Sequence, residues 1–222
     1  MMKSRVITTE IQPAGSKGRG RPRAFDRVQA LDTAIALFWR NGYEGVSIAD
    51  LTAAMGISPT SLYAAFGNKA DLYREALERY RQRAGACEER ILQVPGSARE
   101  AVAAILRDYA ARFAEPGHPA GCMIASSALA CAEENRAVAE ELAAQRRRSA
   151  RALAARIMRG LEAGDLAPGT DCEAVARFYE AVILGMSAQA RDGADARALG
   201  AVAEAAVAAW DAVAARAAAA SA

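Results

Sequence analysis

Apolar residues recur along this chain with the three- and four-residue spacing of amphipathic α-helices. In the first predicted helix, Ala24–Asn41, this spacing places Val28, Leu31, Ile35 and Phe38 on one face. Similar stripes follow almost to the end of the chain, and no stretch shows the alternation that is typical of a β-strand. The pattern therefore predicts an all-α fold.

Two short helices are predicted next, separated by a tight turn. The first, Ser47–Met55, begins with a hydroxyl that can cap its free N–H groups, and Gly56 can take the positive φ that ends it. Ser58 caps the second, with Pro59 at the first helical position, where the missing N–H costs nothing. A turn of about three residues between two short helices is the spacing of a helix-turn-helix motif.

The rest of the chain is also predicted to be helical, because capping signals and apolar stripes continue. Helices are expected from Asn68 to about Leu92, from Ser97 through Phe113, from Cys122 to about Glu133, over about Asn135–Glu162, and from Asp171 and Asp195. The last two helices carry more apolar width than one chain needs, which predicts contact with a second copy. The residues predicted for this dimer interface are Val182, Met186, Val202, Ala206 and Trp210.

Charge is unevenly distributed along the chain. The formal net charge is +2, but residues 1–27 hold seven basic and two acidic side chains, so the remainder is net acidic. Residues 1–23 are rich in Gly, Pro and Arg and are predicted to form a flexible basic arm. A basic arm on a mildly acidic body indicates that one end meets a polyanion such as nucleic acid.

Composition and targeting signals narrow the class of protein further. The N-terminus lacks the apolar stretch of a secretory signal, and no long uncharged apolar run predicts a membrane span, so a cytoplasmic protein is expected. The four cysteines and the single His118 are too scattered for a metal site, so no metal is predicted. No glycine-rich phosphate loop or paired catalytic set occurs, which argues against an enzyme and a bound cofactor.

The segment GVSIADLTAAMGISPTSLYAAFGNKADLY, residues 45–73, resembles the DNA-binding module of the TetR/AcrR family of bacterial transcriptional regulators. The resemblance extends over Ala24–Tyr73 and includes a Leu-Tyr-x-x-Phe-x-x-Lys-x-x-Leu pattern that begins at Leu62. It implies an all-helical homodimer of nine or ten helices whose C-terminal domain binds a small effector. We expect a basic arm at 1–23, a three-helix helix-turn-helix domain at 24–70, and an effector-binding and dimerisation domain at 71–222.

The candidate DNA-contacting residues lie around the second short helix. Short or flat side chains at its start let the backbone approach base edges and phosphates, and a lysine beside free helix N–H groups favours a phosphate. The resemblance implies that Tyr63 and Lys69 contact phosphates, and Ser47 can act in the same way. The positions that it implies for bases are Ala49, Pro59, Thr60, Ser61 and Ala64. Many family members have a Tyr or His pair where this chain has Ala64 and Ala65, so the base preference is not carried over.

The arm contains a second nucleic-acid signal. Arg19, Arg21 and Arg23 alternate with Gly and Pro, which keep the backbone extended, and arginines of this kind bind a narrow minor groove. The stretch resembles the core of an AT-hook. The alternative is a solvated basic tail with no defined groove contact.

Candidate effector residues are the aromatic, Met and Cys side chains of the middle helices. They are Tyr109, Phe113, Cys122, Met123, Met158, Phe178 and Tyr179, and the alternative for each is ordinary core packing. Cys122 follows Gly121 at a predicted helix N-terminus, where the pKa of a thiol can be lowered, although a small buried residue is the simpler interpretation. Arg146, Arg147 and Arg148 are interpreted as a solvated helix face.

Three functions are compatible with these patterns to different degrees. The favoured one is a DNA-binding regulator, a repressor that a small-molecule effector releases from a near-palindromic operator. A non-specific architectural DNA-binding protein is an alternative, because the arm is basic and Ala64 and Ala65 offer little to bases. A thiol-redox-responsive regulator that uses Cys122 is a variant of the first.

Overall fold

The computed structural model describes residues 26–128 and 131–219, without the side chains of residues 84–87, 126 and 219. Every regular element within these ranges is helical, which confirms the predicted all-α fold. The α-helices are α1 (Arg27–Asn41), α2 (Ile48–Met55), α3 (Pro59–Phe66), α4 (Lys69–Gln93), α5 (Ala98–Phe113), α6 (Met123–Ser126), α7 (Arg136–Glu162), α8 (Cys172–Arg191), α9 (Ala196–Ala208) and α10 (Trp210–Ala219), with a 3-10 turn at Glu133–Asn135.

Helix starts follow the capping signals of the sequence. Ser47, Asn68 and Ser97 each accept a hydrogen bond from the backbone N–H three residues on, and a carboxylate three residues on accepts from their own N–H in return. Asp171 and Asp195 cap α8 and α9. The helix caps predicted from the sequence are confirmed. Each cap depends only on residues that are close to it in sequence, so local patterns suffice to predict it.

The N-terminal helices enclose a small core of their own. Phe38 of α1, Leu51 of α2, Leu62 of α3 and Leu72 of α4 are each fully buried in it. Tyr73 packs edge-on against Phe38, with ring centroids 4.9 Å apart. The stripe that begins at Val28 is buried from Leu31 onward, whereas Val28 itself is 55% exposed. Residues 24 and 25 of the predicted first helix lie outside the described ranges.

The C-terminal helices form a second core. Helix α5 packs most extensively on α9, and α7 packs on α8. Leu106, Ile157, Val175 and Tyr179 are fully buried where these helices meet. Helix α4 contributes to both cores, because its first half packs with α1 while Leu92 near its end joins the second.

The helix predicted over Cys122–Glu133 is wrong beyond Ser126. A continued helix would bond the Ser127 carbonyl to the N–H four residues on. That carbonyl instead accepts from the backbone N–H of Tyr43 at 2.9 Å. A tertiary contact with the N-terminal core therefore ends α6 after one turn.

The single helix expected from Asp195 is also divided. Helices α9 and α10 meet at an angle of 45°. The carbonyl of Ala206 accepts a hydrogen bond from the buried Tyr179 hydroxyl at 3.2 Å, and Trp210 stacks on the Tyr179 ring with centroids 5.6 Å apart. Packing on α8 thus bends the chain where no Gly or Pro occurs.

Two sets of hydrogen bonds join the N-terminal and C-terminal helices. The hydroxyls of Tyr73 and Ser127 are 2.5 Å apart in a buried environment. Arg191, at the end of α8, donates to the carbonyls of Trp39 and Arg40 at 2.9 and 3.0 Å, where α1 has carbonyls without helical partners. The two cores are therefore tied together by polar contacts as well as by α4.

Within the described ranges no single helix is both long enough and apolar enough to cross a membrane. By length and composition alone, the bent pair α9–α10 passes such a test.

We predict that Tyr73→Phe lowers the free energy of unfolding by about 1–3 kcal/mol, because it leaves the buried Ser127 hydroxyl without its partner. Urea denaturation checks this value. Tyr63→Phe is the matched control, since the Tyr63 side chain is 49% exposed and its change should leave stability within about 0.5 kcal/mol. Equal effects of the two substitutions would contradict the assigned role of the Tyr73–Ser127 contact.

Candidate nucleic-acid interface and effector cavity

The turn between α2 and α3 is built around Gly56. Its φ of 67° lies in the left-handed region, and its N–H and that of Ile57 return to the last carbonyls of α2. Ser58 then starts α3 by accepting from the N–H of Ser61 at 3.1 Å. The predicted helix-turn-helix is confirmed, with three residues between the two helices.

Helix α3 has one buried face and one exposed face. Leu62 and Phe66 are buried at 0% and 3% exposure, which fixes the rotation of the helix about its axis. The opposite face presents Pro59, Thr60, Ser61, Tyr63 and Ala64, all of them exposed. A short helix that is anchored on one side and polar on the other has the form that enters a major groove.

The hydroxyls at the start of α2 and α3 are held by local hydrogen bonds. Ser47 Oγ lies 2.6 Å from the carboxylate of Asp50, and this hydroxyl holds the pKa of Asp50 below its ordinary value. The Ser58 and Ser61 hydroxyls are 2.9 Å apart. Ala49 and Thr60 are exposed beside them. These contacts orient the hydroxyls before any partner binds.

Lys69 occupies the first position of α4, where backbone N–H groups lie free. Its ammonium group lies 4.3 Å from the centroid of the Tyr43 ring, a cation–π contact that directs the side chain. Partial burial lowers the pKa of Lys69, and the nearby carboxylate of Glu44 opposes that shift. A partly desolvated cation at a helix N-terminus is suited to a phosphate oxygen.

Ala64 and Ala65 differ in their exposure to solvent. Ala64 lies on the exposed face, whereas Ala65 is half-buried and its carbonyl accepts from the Arg27 guanidinium at 3.4 Å. Arg27 also stacks over the Phe66 ring at 4.7 Å and pairs with Glu75 at 2.7 Å. The start of α1 is therefore fixed beside the end of α3. Arg19, Arg21 and Arg23 lie outside the described residues.

A second feature is a cavity of about 1130 Å³ between α4, α5, α7 and α8. Its lining combines apolar side chains and two tyrosines with eleven charged side chains, which are seven arginines and four glutamates. Of the effector residues predicted from the sequence, Tyr109, Cys122 and Met158 line it.

The other predicted effector residues lie elsewhere. Phe113 is buried in the C-terminal core, and Met123 is buried in the N-terminal core. Tyr179 is buried against Trp210, while Phe178 is 39% exposed on the outside of α8. Phe113 lies one turn after Tyr109 with the ring centroids 4.9 Å apart, so periodicity alone could not tell which of the two lines the cavity.

The residues predicted for a dimer interface fall into two groups. Met186, Ala206 and Trp210 are buried inside their own chain, at 0%, 7% and 4% exposure. Val182 and Val202 are half-buried at the edge of the C-terminal core. Other apolar side chains are exposed on α8, namely Phe178 and Leu184.

Cys122 lies where the cavity meets the N-terminal core. Its backbone N–H donates to Ser187 Oγ at 2.9 Å, and the Tyr80 hydroxyl donates to its Sγ at 3.6 Å. Burial raises the pKa of the Cys122 thiol, although hydrogen bonds from Tyr80 and from backbone N–H groups oppose the shift. The raised pKa fits the simpler interpretation of Cys122 as a buried residue and not the alternative of a lowered pKa, because α6 has only one turn and burial outweighs its N-terminus.

The cavity wall also contains residues that the sequence analysis missed, above all Glu88. In the sequence Leu72, Ala76, Tyr80 and Leu92 share a four-residue spacing, and Glu88 falls in the same register. A carboxylate on an otherwise apolar stripe is the signal that could have identified it. Within the described ranges, no group of three or more His, Cys, Asp or Glu side chains could hold a metal ion.

The exposed polar face of α3 and the turn at Gly56 define a helix-turn-helix protein of the DNA-binding type. The family model described as "Bacterial regulatory proteins, tetR family" matches residues 30–76, and "Tetracyclin repressor-like, C-terminal domain" matches residues 96–210. The chain belongs to the TetR family of bacterial transcriptional regulators, and it is a regulator rather than an enzyme.

Relatives support the same assignment. The HTH-type transcriptional repressor ComR of Escherichia coli (strain K12) is 35% identical over 85% of this chain and 90% of its own length. The repressor BdcR of the same organism is 38% identical over 49% of this chain and 55% of its own. A solved structure of a cysteine mutant of the TetR family regulator CifR, complexed with 26-base-pair operator DNA, is 47% identical with a TM-score of 0.81, covering 86% of this chain and 100% of that one.

We predict that the Cys122 thiol of the folded protein reacts slowly with iodoacetamide at neutral pH, because its raised pKa keeps it protonated. In a Cys87→Ser, Cys131→Ser, Cys172→Ser protein, the alkylation rate should rise only at pH values above the ordinary cysteine pKa. The same protein in denaturant is the control and should titrate normally. A midpoint below that of the unfolded control would contradict the prediction.

Proposed function

We propose that the chain represses transcription by binding a near-palindromic operator as a homodimer, and that a small-molecule effector in the cavity releases it. The observation that carries the DNA-binding role is the exposed face of α3, held outward by the burial of Leu62 and Phe66. The names of ComR and BdcR as repressors support the direction of regulation.

Helix α3 is the proposed recognition helix. Thr60, Ser61 and Ala64, with Pro59, face the base edges, and Ala49 of α2 borders the same groove. Tyr63 reaches a phosphate with its hydroxyl, because its ring leaves the helix on the exposed side. Lys69 and Ser47, each at the N-terminal end of a helix, bind flanking phosphates on either side of α3.

Residues 1–23 are proposed to add an affinity arm. Arg27 holds the start of α1 beside the end of α3, so the preceding residues begin close to the proposed groove. Arg19, Arg21 and Arg23 then bind the adjacent minor groove through charge and shape, with little sequence selectivity.

The proposed dimer uses the outer surface of α8 and α9. Phe178 and Leu184 are each 39% exposed there, and alanines leave the neighbouring surface of α9 flat. An isologous contact of this kind would set the spacing of two α3 helices on the two halves of an operator.

We also propose that the DNA-binding domain spans residues 24–70, that the effector-binding and dimerisation domain spans residues 71–222, and that the protein is cytoplasmic.

Release requires that the effector distinguish two arrangements of the chain. The cavity and the DNA-binding helices share two elements: α4, which carries Lys69 at one end and Glu88 in the cavity wall, and α6, which follows Cys122. Ser127 beyond α6 bonds to Tyr43 and Tyr73 of the N-terminal core. A ligand that displaces either wall would therefore move α3 relative to its copy in the partner.

We predict that Tyr63→Ala and Lys69→Ala each weaken operator binding about tenfold, since each removes a phosphate contact that is worth about 1–2 kcal/mol. Lys69→Ala should also reduce the salt slope by about 1. Fluorescence anisotropy against the promoter upstream of the gene provides the measurement, with Arg90→Ala, an exposed residue near the end of α4, as a charge-matched control. If the wild-type protein bound the promoter no more tightly than random DNA, this result would refute a specific operator and favour an architectural role.

Replacing Arg19, Arg21 and Arg23 together by alanine should weaken binding to operator and random DNA by similar factors. The reason is that phosphate contacts are largely independent of sequence, whereas base contacts in α3 remain. Footprinting should show the same protected site at higher protein concentration. Loss of operator preference in this variant would contradict the assignment of specificity to α3.

A further inference from the structure

The last turn of α8 holds the end of α1 through one arginine. Arg191 donates from Nη1 to the carbonyl of Trp39 at 2.9 Å and from Nη2 to the carbonyl of Arg40 at 3.0 Å. Carbonyls in the last turn of a helix have no donor inside the helix, and the negative end of the helix dipole favours a cation there. Because the guanidinium group is planar, these two bonds restrain the direction of α1 relative to α8.

The side chain of Trp39 is held in the same region by two other segments. Its ring stacks on the ring of His118, with the centroids 4.9 Å apart and an interplanar angle of 17°. His118 lies in the loop between α5 and α6. The ring of Tyr80 on α4 meets Trp39 edge-on, also with centroids 4.9 Å apart. The end of α1 is therefore packed against α4, α8 and this loop.

The loop that carries His118 is itself fixed to α8 at Gly121. Gly121 has a φ of 76°, and a Cβ atom at this position would lie 2.6 Å from the Ser187 carbonyl oxygen and 3.2 Å from Arg191 Cγ. A glycine is needed for the loop and α8 to approach this closely. The next residue, Cys122, donates from its N–H to Ser187 Oγ at 2.9 Å. We refer to Trp39, His118, Gly121 and Arg191 together as the α1–α8 joint.

The α1–α8 joint connects the DNA-binding helices to the proposed dimer surface. On one side, the core that buries Leu62 and Phe66 fixes α3 relative to α1. On the other, Phe178 and Leu184 on the outer surface of α8 lie in the proposed contact with a second copy. Ser127 also attaches the N-terminal core, but it does so through the segment after α6, which is not part of that surface. The joint is therefore a direct link between the position of α3 and the dimer contact.

Helix α4, the other long connection, borders the cavity along its middle. Tyr80, Arg81, Glu88 and Glu89 line the cavity, so this stretch lacks close packing on one side. A tilt of the N-terminal core about α4 therefore meets little resistance from this stretch. The α1–α8 joint lies on other helices and opposes that tilt.

We propose that Arg191 is a positioning residue that determines which spacing of operator half-sites the dimer binds. This inference rests on the proposed function, in which two copies of α3 bind two half-sites. An extra base pair moves one half-site by about 3.4 Å and turns it by about a tenth of a helical turn. A dimer with the α1–α8 joint intact follows this change only by straining the joint or the DNA. Arg191 acts on α3 through α1 rather than through contact with a base.

Operators of altered spacing test the role of Arg191. Footprinting on the promoter upstream of the gene defines the bound site, and the probes are duplexes of that site with its centre unchanged, one base pair longer or one base pair shorter. We expect the wild-type protein to bind the unchanged duplex about tenfold more tightly than either altered duplex, a penalty of the size that one mismatched base pair causes. In Arg191→Ala this ratio should fall to about threefold, because the unchanged duplex loses a preorganised dimer while the altered duplexes meet less strain. A ratio that stays at the wild-type value would overturn the proposal.

Two further variants separate the joint from its charge. Arg40→Ala removes one positive charge beside the same joint, but the joint uses only the carbonyl of Arg40, whose side chain is exposed. This matched control should keep the wild-type ratio. Arg191→Lys keeps the charge and loses the planar fork, so we expect a ratio between those of the wild type and Arg191→Ala. It also provides the test if Arg191→Ala unfolds the chain. Equal ratios in Arg40→Ala and Arg191→Ala would show that charge alone is responsible and would refute the joint.

A duplex with one half-site gives an independent readout. It keeps half of the footprinted site and replaces the other half by random sequence, so the spacing between two specific sites no longer matters. Arg191→Ala should bind this duplex within about twofold of the wild type, because the base contacts of α3 remain. If the variant lost as much affinity here as on the unchanged duplex, Arg191 would serve the folding of the N-terminal core and not the choice of spacing.

The wild-type measurements distinguish failure of this inference from failure of the proposed function. Wild-type protein that prefers neither the footprinted site nor random DNA would refute the proposed operator and the role of Arg191 with it. A wild-type preference for that site at one spacing, with the same spacing ratio in Arg191→Ala and Arg191→Lys, would refute only the role of Arg191.

Discussion

The continuity of α4 is the constraint on which the rest of the structure depends. Its 25 residues form one helix that packs in the N-terminal core at Leu72 and in the C-terminal core at Leu92. A helix of this length spans about 37 Å, and a sharp kink in it would require a cause such as Pro or an inserted side chain or water. Glu88 and Lys69 therefore lie on one continuous element, which links the cavity wall to the start of α4.

Polar contacts at α6 complete this link. An isolated one-turn helix has little stability of its own, and α6 is held because Cys122 bonds to α8 while Ser127 bonds to Tyr43 and Tyr73. The cavity and the N-terminal core thus share a segment that local sequence does not stabilise. Such a segment is suited to adopt two arrangements of similar free energy, which is what effector control of a TetR-family regulator requires.

The DNA-binding side and the effector side of the molecule use charge in different ways. In the proposed complex, Lys69 and the arginines of residues 1–23 contact DNA phosphates, and such contacts weaken as the salt concentration rises. In the cavity wall, Glu88 is largely buried, and burial raises its pKa because a charge is less well solvated there than at the surface. The family fold therefore accounts for the first role, while the second depends on which side chains line the cavity.

Local physics allowed the sequence by itself to determine the helices, their caps and the helix-turn-helix. Ser47, Asn68 and Ser97 cap because their partners are three residues away, and Leu62 and Phe66 orient α3 because of helical spacing. Only the tertiary structure decided where α6 ends, where α9 bends, and which aromatic side chains face a cavity, because those outcomes depend on partners distant in sequence. Burial, which the sequence does not reveal, raised the pKa of Cys122 against the helix N-terminus and raised the pKa of Glu88 in the cavity wall.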